Sequence, residues 1–156
     1  METGREYKNL KTFYTKAEEY LVSISLLNQK ESINYVRNKF NKEILNNYYY
    51  IGSLNKKCKK LLNARFSTIK FSMDSLLKNK INHPDLKFYD YEKINEIVRN
   101  YDELFTDRKG NLRFFKNVNN KLYEIVVKTT QDGKENYLTT FHRCDESKIR
   151  KLKKIV

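Results

Sequence analysis

Apolar residues recur at helical spacing through the first third of the chain and give way to short alternating runs in the last third, so helices are predicted first and strands afterwards. Thr15-Lys-Ala-Glu18 has a capping-box pattern, and Ala17, Tyr20, Leu21, Ile24 and Leu27 follow on one helical face. After Glu31-Ser32, the apolar positions Ile33, Val36, Phe40 and Ile44 predict a second amphipathic helix, with Arg37, Lys39 and Lys42 off the stripe. Tyr48-Tyr49-Tyr50-Ile51, before Gly52-Ser53, reads as the end of this helical pair. Strands are then predicted at 66–71, 103–106 and 112–115 and on either side of Asp132-Gly133, with turns at 107–110 and 117–120. A short helix over 73–80, a helix capped by Asp90 with Tyr91, Ile94, Ile97 and Val98 inward, and a capped basic helix over 145–155 with Ile149, Leu152 and Ile155 inward complete the pattern. The expected fold is α+β: N-terminal helices followed by a four-stranded antiparallel sheet and a short C-terminal helix. Residues 1–64 are expected to form a helical N-terminal region and 65–156 a second domain.

The final hairpin carries the densest chemistry. Lys121 to Thr130 and Glu135 to Arg143 flank an Asp-Gly turn, and that dipeptide tolerates the positive φ of tight primed turns. A structural hairpin would scatter its charges, yet this one gathers Lys128, Thr139, Thr140, His142 and Arg143, groups suited to phosphate and protons. An even loop centred on Asp132-Gly133 pairs Lys128 with Tyr137, Val126 with Thr139 and Glu124 with Phe141. That register places Glu124, Lys128, Tyr137, Thr139 and Arg143 on one face and puts Thr140 and His142 with Tyr123, Ile125, Val127 and Leu138 on the other. A bulge would exchange the partners, so Thr140 and His142 stay among the site candidates, beside a competing role for His142 as a hydrogen-bonded core residue. Lys128 has its own competing role as an edge lysine that discourages aggregation.

Charge narrows the class of partner. Thirty-two Lys and Arg against nineteen Asp and Glu leave a formal charge of +13, the footprint expected of a protein with a polyanionic partner. The densest cluster is Lys56, Lys57, Lys59 and Lys60, which also fits a solvated helix face. Two cysteines, Cys58 and Cys144, are too few for a disulfide scaffold and lack metal-ligand spacing, and a cytoplasmic site of action is expected. No run approaches the roughly 18 apolar residues of a spanning helix, so no membrane partner is expected. Four glycines, none in a phosphate-loop pattern, exclude that motif, and no acidic cluster has metal-ligand spacing.

The other histidine stands in Lys78-Asn-Lys-Ile-Asn-His-Pro-Asp-Leu86, where Pro84 biases His83 toward extended backbone and exposure. Together with Asp90-Tyr91-Glu-Lys-Ile, Leu122 to Lys128, Tyr137 to Arg143 and the basic terminal helix, this segment resembles the phage and prophage nuclease-like domains grouped with barnase, EndoU, the colicin ribonucleases and RelE. The resemblance covers about residues 65–156 and leaves out the N-terminal helices. It implies a metal-independent endoribonuclease, phage-linked or an interbacterial toxin, cutting RNA to 2′,3′-cyclic phosphate ends without a cofactor. The implied partners are RNA, tRNA included, and an immunity protein or antitoxin, with action in the cytosol of a target cell if the protein is exported.

Such chemistry needs a base for the 2′-hydroxyl, an acid for the leaving oxygen and cations for the transition state. His83 is the candidate base or acid, His142 or Glu124 its complement, Lys128 and Arg143 the clamp, and Thr139 or Thr140 a donor to a non-bridging oxygen. Lys78, Lys80, Glu124 and Tyr137 are candidate substrate contacts, and Tyr137, Tyr123 and Phe141 can stack a base. The alternative class is a non-catalytic nucleic-acid-binding or inhibitory phage protein that uses Lys56 to Lys60 and the Lys151 to Lys154 tail.

Overall fold

The computed structural model describes residues 4–155, with side chains through residue 152. In chain order the elements are β1 (Glu6–Tyr7), α1 (Leu10–Ser23), α2 (Ile33–Arg37), α3 (Lys42–Leu45), β2 (Tyr48–Ser53), α4 (Lys56–Leu61), β3 (Thr68–Ser72) and α5 (Met73–Asn82). They continue as α6 (Phe88–Tyr91), α7 (Ile94–Arg99), β4 (Glu103–Thr106), β5 (Leu112–Val118), β6 (Lys121–Thr129), β7 (Asn136–Arg143) and α8 (Glu146–Ile155).

The strands form one seven-stranded sheet in the order β1-β2-β3-β7-β6-β5-β4. β1–β2 and β3–β7 run parallel and the remaining pairs antiparallel, so the expected four-stranded antiparallel sheet is replaced by a wider mixed one. Two local misreadings account for this. The Tyr48 to Ile51 run, read as a helix end, is the strand β2, and its aromatic residues suit a pleated surface better than a helix. β1 is two residues long and has no period to detect. The antiparallel meander itself, β4 to β7, lies where the alternation predicts it, although β5 runs on to Val118.

Caps explain the helix boundaries. α1 is capped by Asn9, whose side chain accepts the Thr12 N–H, nearly two turns before the expected Thr15 box. The single predicted helix over 33–44 is split in two: Ser32 caps α2, and Asn41 restarts the chain by accepting the Ile44 N–H. Asp90 lies inside α6, where its carboxylate accepts the Lys87 N–H. The expected inward placement of Ile155 falls outside the described side chains.

One face of the sheet is the core. Ile69, Phe71, Leu112, Phe114, Tyr123, Ile125, Val127, Leu138 and Phe141 are buried there against Phe13, Ala17 and Leu21 of α1, Leu76, Leu77 and Ile81 of α5, and Ile94, Ile97 and Val98 of α7. Each such side chain contributes about 1.5–3 kcal/mol of burial. The opposite face carries Tyr48, Lys70, Tyr137, Lys128, Val126 and Glu124, and only α8 is packed across its Glu124 end.

Two backbone features place the site. At the hairpin tip only Gly133 takes a positive φ, +77°, and a Cβ there would stand 2.6 Å from the Asn63 carbonyl oxygen. Next to this turn the register is as expected, with Val127 opposite Leu138 and Lys128 opposite Tyr137. Beyond it a bulge at Thr139 shifts the pairing, so that Val126 faces Thr140, Ile125 faces Phe141 and Glu124 faces His142. Phe141 thereby enters the core, while Thr140 and His142 move to the face of Glu124. This reverses the predicted partition.

Candidate active site

The bulge brings Glu124 and His142 together. His142 Nε2 lies 2.7 Å from Glu124 Oε1, and the same oxygen accepts Lys148 Nζ of α8 at 2.5 Å. Arg113 Nη1 of β5 donates to Oε2 at 2.8 Å, and its Nε reaches Asp107 at 3.3 Å. Glu124 has no exposed surface. Burial alone would raise its pKa, but hydrogen bonds from His142, Lys148 and Arg113 outweigh that and hold it at about 2. The result is a permanently charged carboxylate that fixes the His142 ring and can balance the charge that the ring gains on taking a proton.

His83 caps the C-terminus of α5, its N–H bonded to the Asn79 carbonyl, and its ring stacks on that of His142 with centroids 5.0 Å apart and planes 23° from parallel. It is half-buried rather than exposed, because this stacking and the chain turn at Pro84 cover one side. Burial lowers its pKa first, and the neighbouring His142 lowers it further, against a weaker pull from Asp85. A neutral imidazole at neutral pH is the form needed to accept a proton.

α5 reaches this position because it follows β3 directly and lies along β7 where β3 diverges. Asn79, buried, accepts the Phe141 N–H at 3.0 Å and donates to the Tyr91 hydroxyl at 2.9 Å, tying the helix to the strand that carries His142. One residue earlier, Lys78 Nζ donates to the Thr139 carbonyl at 2.7 Å, and burial foremost lowers its pKa. The bulged Thr139 bonds back to the Val126 carbonyl through its hydroxyl at 3.2 Å. A cavity of about 940 Å³ opens beside His142, lined by Thr139, Thr140, Glu124, Arg113 and the 106–111 loop with Arg108 and Lys109.

Of the residues singled out from sequence, the fold gathers His83, His142, Glu124, Lys78, Thr139 and Thr140. It leaves four elsewhere, Tyr137 among them beside Lys128, and it buries the Tyr123 and Phe141 rings in the core, where they cannot stack a base. Lys128 is exposed and four residues from Glu124 along β6, roughly 13 Å by strand rise, where it faces Tyr137. Arg143 is exposed opposite Tyr123, on the other face of the sheet from its neighbour His142. Lys80 is buried on α5 with its Nζ 3.8 Å from Glu18 and 4.0 Å from the Tyr14 ring centre, away from the histidines. Arg113, Lys148 and Asp107 were not singled out. The alternation of Leu112-Arg-Phe-Phe115 offered a signal for Arg113, but Lys148 looked like any solvent-facing lysine of a basic helix.

Among the described residues no three His, Cys, Asp or Glu side chains cluster as metal ligands, and no helix is long and apolar enough to cross a membrane. The mixed sheet thus leaves one polar face half covered, with two stacked imidazoles beside an anchoring carboxylate. The chain belongs to the phage-Barnase-EndoU-ColicinE5/D-RelE like nuclease3 family, whose model matches residues 49–151, from within β2 into α8. Its substrate class is therefore nucleic acid. Comparison with curated proteins and with solved structures found no match.

Proposed function

We propose that the protein is a metal-independent endoribonuclease, phage- or prophage-associated and acting as a toxin, that cuts RNA to 2′,3′-cyclic phosphate ends. The observation that carries this reading is the His83–His142 pair held beside the buried Glu124. His83, kept neutral by burial, takes the proton of the 2′-hydroxyl as that oxygen attacks phosphorus. His142, held by Glu124, donates a proton to the 5′-oxygen as its bond to phosphorus breaks. Two imidazoles whose ring centres are 5.0 Å apart can reach two oxygens of a single phosphodiester. Lys78 supplies positive potential and the Thr140 hydroxyl a donor to the non-bridging oxygens, each worth about a few kcal/mol by the usual magnitude of such preorganised groups, while the Thr139 hydroxyl, spent on the Val126 carbonyl, holds the bulge that sets them. Lys128 and Tyr137, farther along the sheet, hold the flanking strand, and Arg143 acts from the rim. The donor set supports a metal-free route, because the carboxylate beside the histidines is already held by three nitrogen groups, those of His142, Lys148 and Arg113. RNA, tRNA included, and an immunity protein or antitoxin are the partners this reading implies, with action in the cytosol.

Incubation of the purified protein with total RNA and tRNA in EDTA, beside His83→Ala, tests it. New cyclic-phosphate ends that disappear in the variant are expected; cleavage that persists in His83→Ala would refute the assignment. A second reading draws on the exposed lysines of α4, where Lys56, Lys59 and Lys60 line a surface hollow. It describes a basic binder without turnover, and salt-sensitive RNA binding with no cleavage would favour it.

A further inference from the structure

The sheet face that carries the histidine pair holds a second cavity, of about 720 Å³, at the β2–β3–β7 end. One wall belongs to the segment that matches the nuclease family: Lys70, Ser72, Asp74, Glu135 and Tyr137. The other wall is built by residues that precede that segment, chiefly Arg37, Lys42 and Tyr48. The two walls are fastened together by a bidentate pair, Arg37 Nε and Nη2 to the two oxygens of Asp74, each at 2.8 Å. Lys70 bridges the floor, 4.3 Å from the Tyr48 ring centre and 2.9 Å from Glu135. Asp74, on the cavity wall, is one turn from Lys78 on α5, and Lys78 donates to the Thr139 carbonyl, so α5 links the cavity wall to the strand that carries His142.

We propose that this cavity is a purine-nucleotide subsite, completed by the N-terminal helices, that holds the nucleotide next to the scissile phosphate; the proposal rests on the ribonuclease reading. Its volume is in the range of sites for small ligands. Tyrosine rings at Tyr48 and Tyr137 offer π surface for a base, and purines present the larger face. Cations alternate with carboxylates around the cavity, matching a purine edge that carries ring acceptors beside exocyclic groups. The Arg37 fork occupies Nε and Nη2 and leaves Nη1, with Lys42, for a phosphate. In this arrangement α2 and α3 are part of substrate recognition rather than a flank.

Two readouts on the full chain test this. The first is chemical-shift mapping with each of the four nucleoside 5′-monophosphates. Adenosine and guanosine monophosphates are expected to shift the Tyr48, Ser72 and Asp74 resonances, and to bind about tenfold more weakly in Tyr48→Ala, the usual size of a lost stacking contact. Lys42→Glu, on the exposed surface of α3, should weaken them comparably without touching the sheet. The second is cleavage of oligonucleotides that differ only in the base beside the cut. Purine-flanked sites should lose their advantage over pyrimidine-flanked sites in Tyr48→Ala, whereas Lys42→Glu, which removes a phosphate contact, should slow both. Shifts that are equal for all four nucleotides, or confined to the His83–His142 cavity, overturn the subsite. Purine binding here in a protein that cuts no RNA upholds the subsite and refutes the nuclease reading instead.

Discussion

At the scale of single residues, Glu124 decides what the site can do. Its carboxylate is buried and carries three donors, so removing its charge strands Lys148 and Arg113 and frees the His142 ring. Glu124→Gln should lower RNA cleavage by at least about tenfold, the cost of one lost transition-state interaction, while His142→Gln should lower it further. His83 supplies a sharper test. Burial and the charge of His142 both lower its pKa, so in His142→Gln the second cause is gone and the His83 titration should move upward, measured by NMR of its ring protons. An unchanged midpoint would mean that the rings do not stack in solution. The residue types of this site were legible in the sequence: two histidines, a glutamate and adjacent threonines in a phosphate-handling neighbourhood. Their grouping was not, because alternation assigns His142 to the core face and one extra residue, Thr139, inverts the assignment. Lys80 shows the opposite failure. Its neighbours Lys78 and His83 made it look like a substrate contact, yet it lies buried beside Tyr14 and Glu18, where desolvation lowers its pKa to about 8.

At the scale of elements, the hairpin combines a turn that fixes register with a bulge that resets it. Gly133 is doubly constrained by its positive φ and by the Asn63 carbonyl, which accompanies the 2.7 Å bond from the Arg65 N–H to its own carbonyl. Gly133→Ala should therefore destabilise the fold by more than about 1–2 kcal/mol, the cost of a left-handed backbone alone, read as a drop in the urea midpoint. A variant with no loss would show that the tip is not packed on 63–65. Helical stripes in the sequence located α5 and α8 to within a turn, but placed the start of α1 nearly two turns late and joined α6 and α7 into one helix. They failed across 33–44, since the apolar spacing runs through Asn38-Lys-Phe-Asn41 while Asn41 spends its side chain on starting a new helix. Strand β2 was missed for a similar reason: a block of three tyrosines has neither period, and its pairing with β1 and β3 defines it.

At the scale of the whole molecule, pH and topology carry the expectations. Glu124 titrates near 2 when folded against an ordinary 4.5, so the stability it adds is complete above about pH 4.5 and is lost as pH falls toward 2, an effect of about 3 kcal/mol. Thermal melts of the wild type should fall across that window, and those of Glu124→Gln should be flatter there. Lys80 works with the opposite sign. Its folded pKa is depressed, so the cost of holding its charge is present below about pH 8 and relieved as pH rises toward 10.5; Lys80→Met should raise the melting temperature at pH 7 and lose that advantage in alkali. The α+β class, the meander and the terminal helix could be read from the chain, whereas the sheet's width could not, since its extra strands depend on long-range pairing. That pairing is thin at one place: β3 and β7 share a single ladder position, Lys70 with Tyr137, and the buried Asn136 amide stands in for the missing rungs by donating to the Phe66 and Thr68 carbonyls. A seam held by one ladder rung, the Asn136 amide, the Lys70–Glu135 pair and the Arg65–Gly133 backbone bond is the line along which the sheet is expected to open into two cooperative units, β1-β2-β3 and β7-β6-β5-β4. Amide exchange should then proceed by opening along this line, with the N-terminal unit exchanging ahead of the meander, and Asn136→Ala should widen the gap between the two rates.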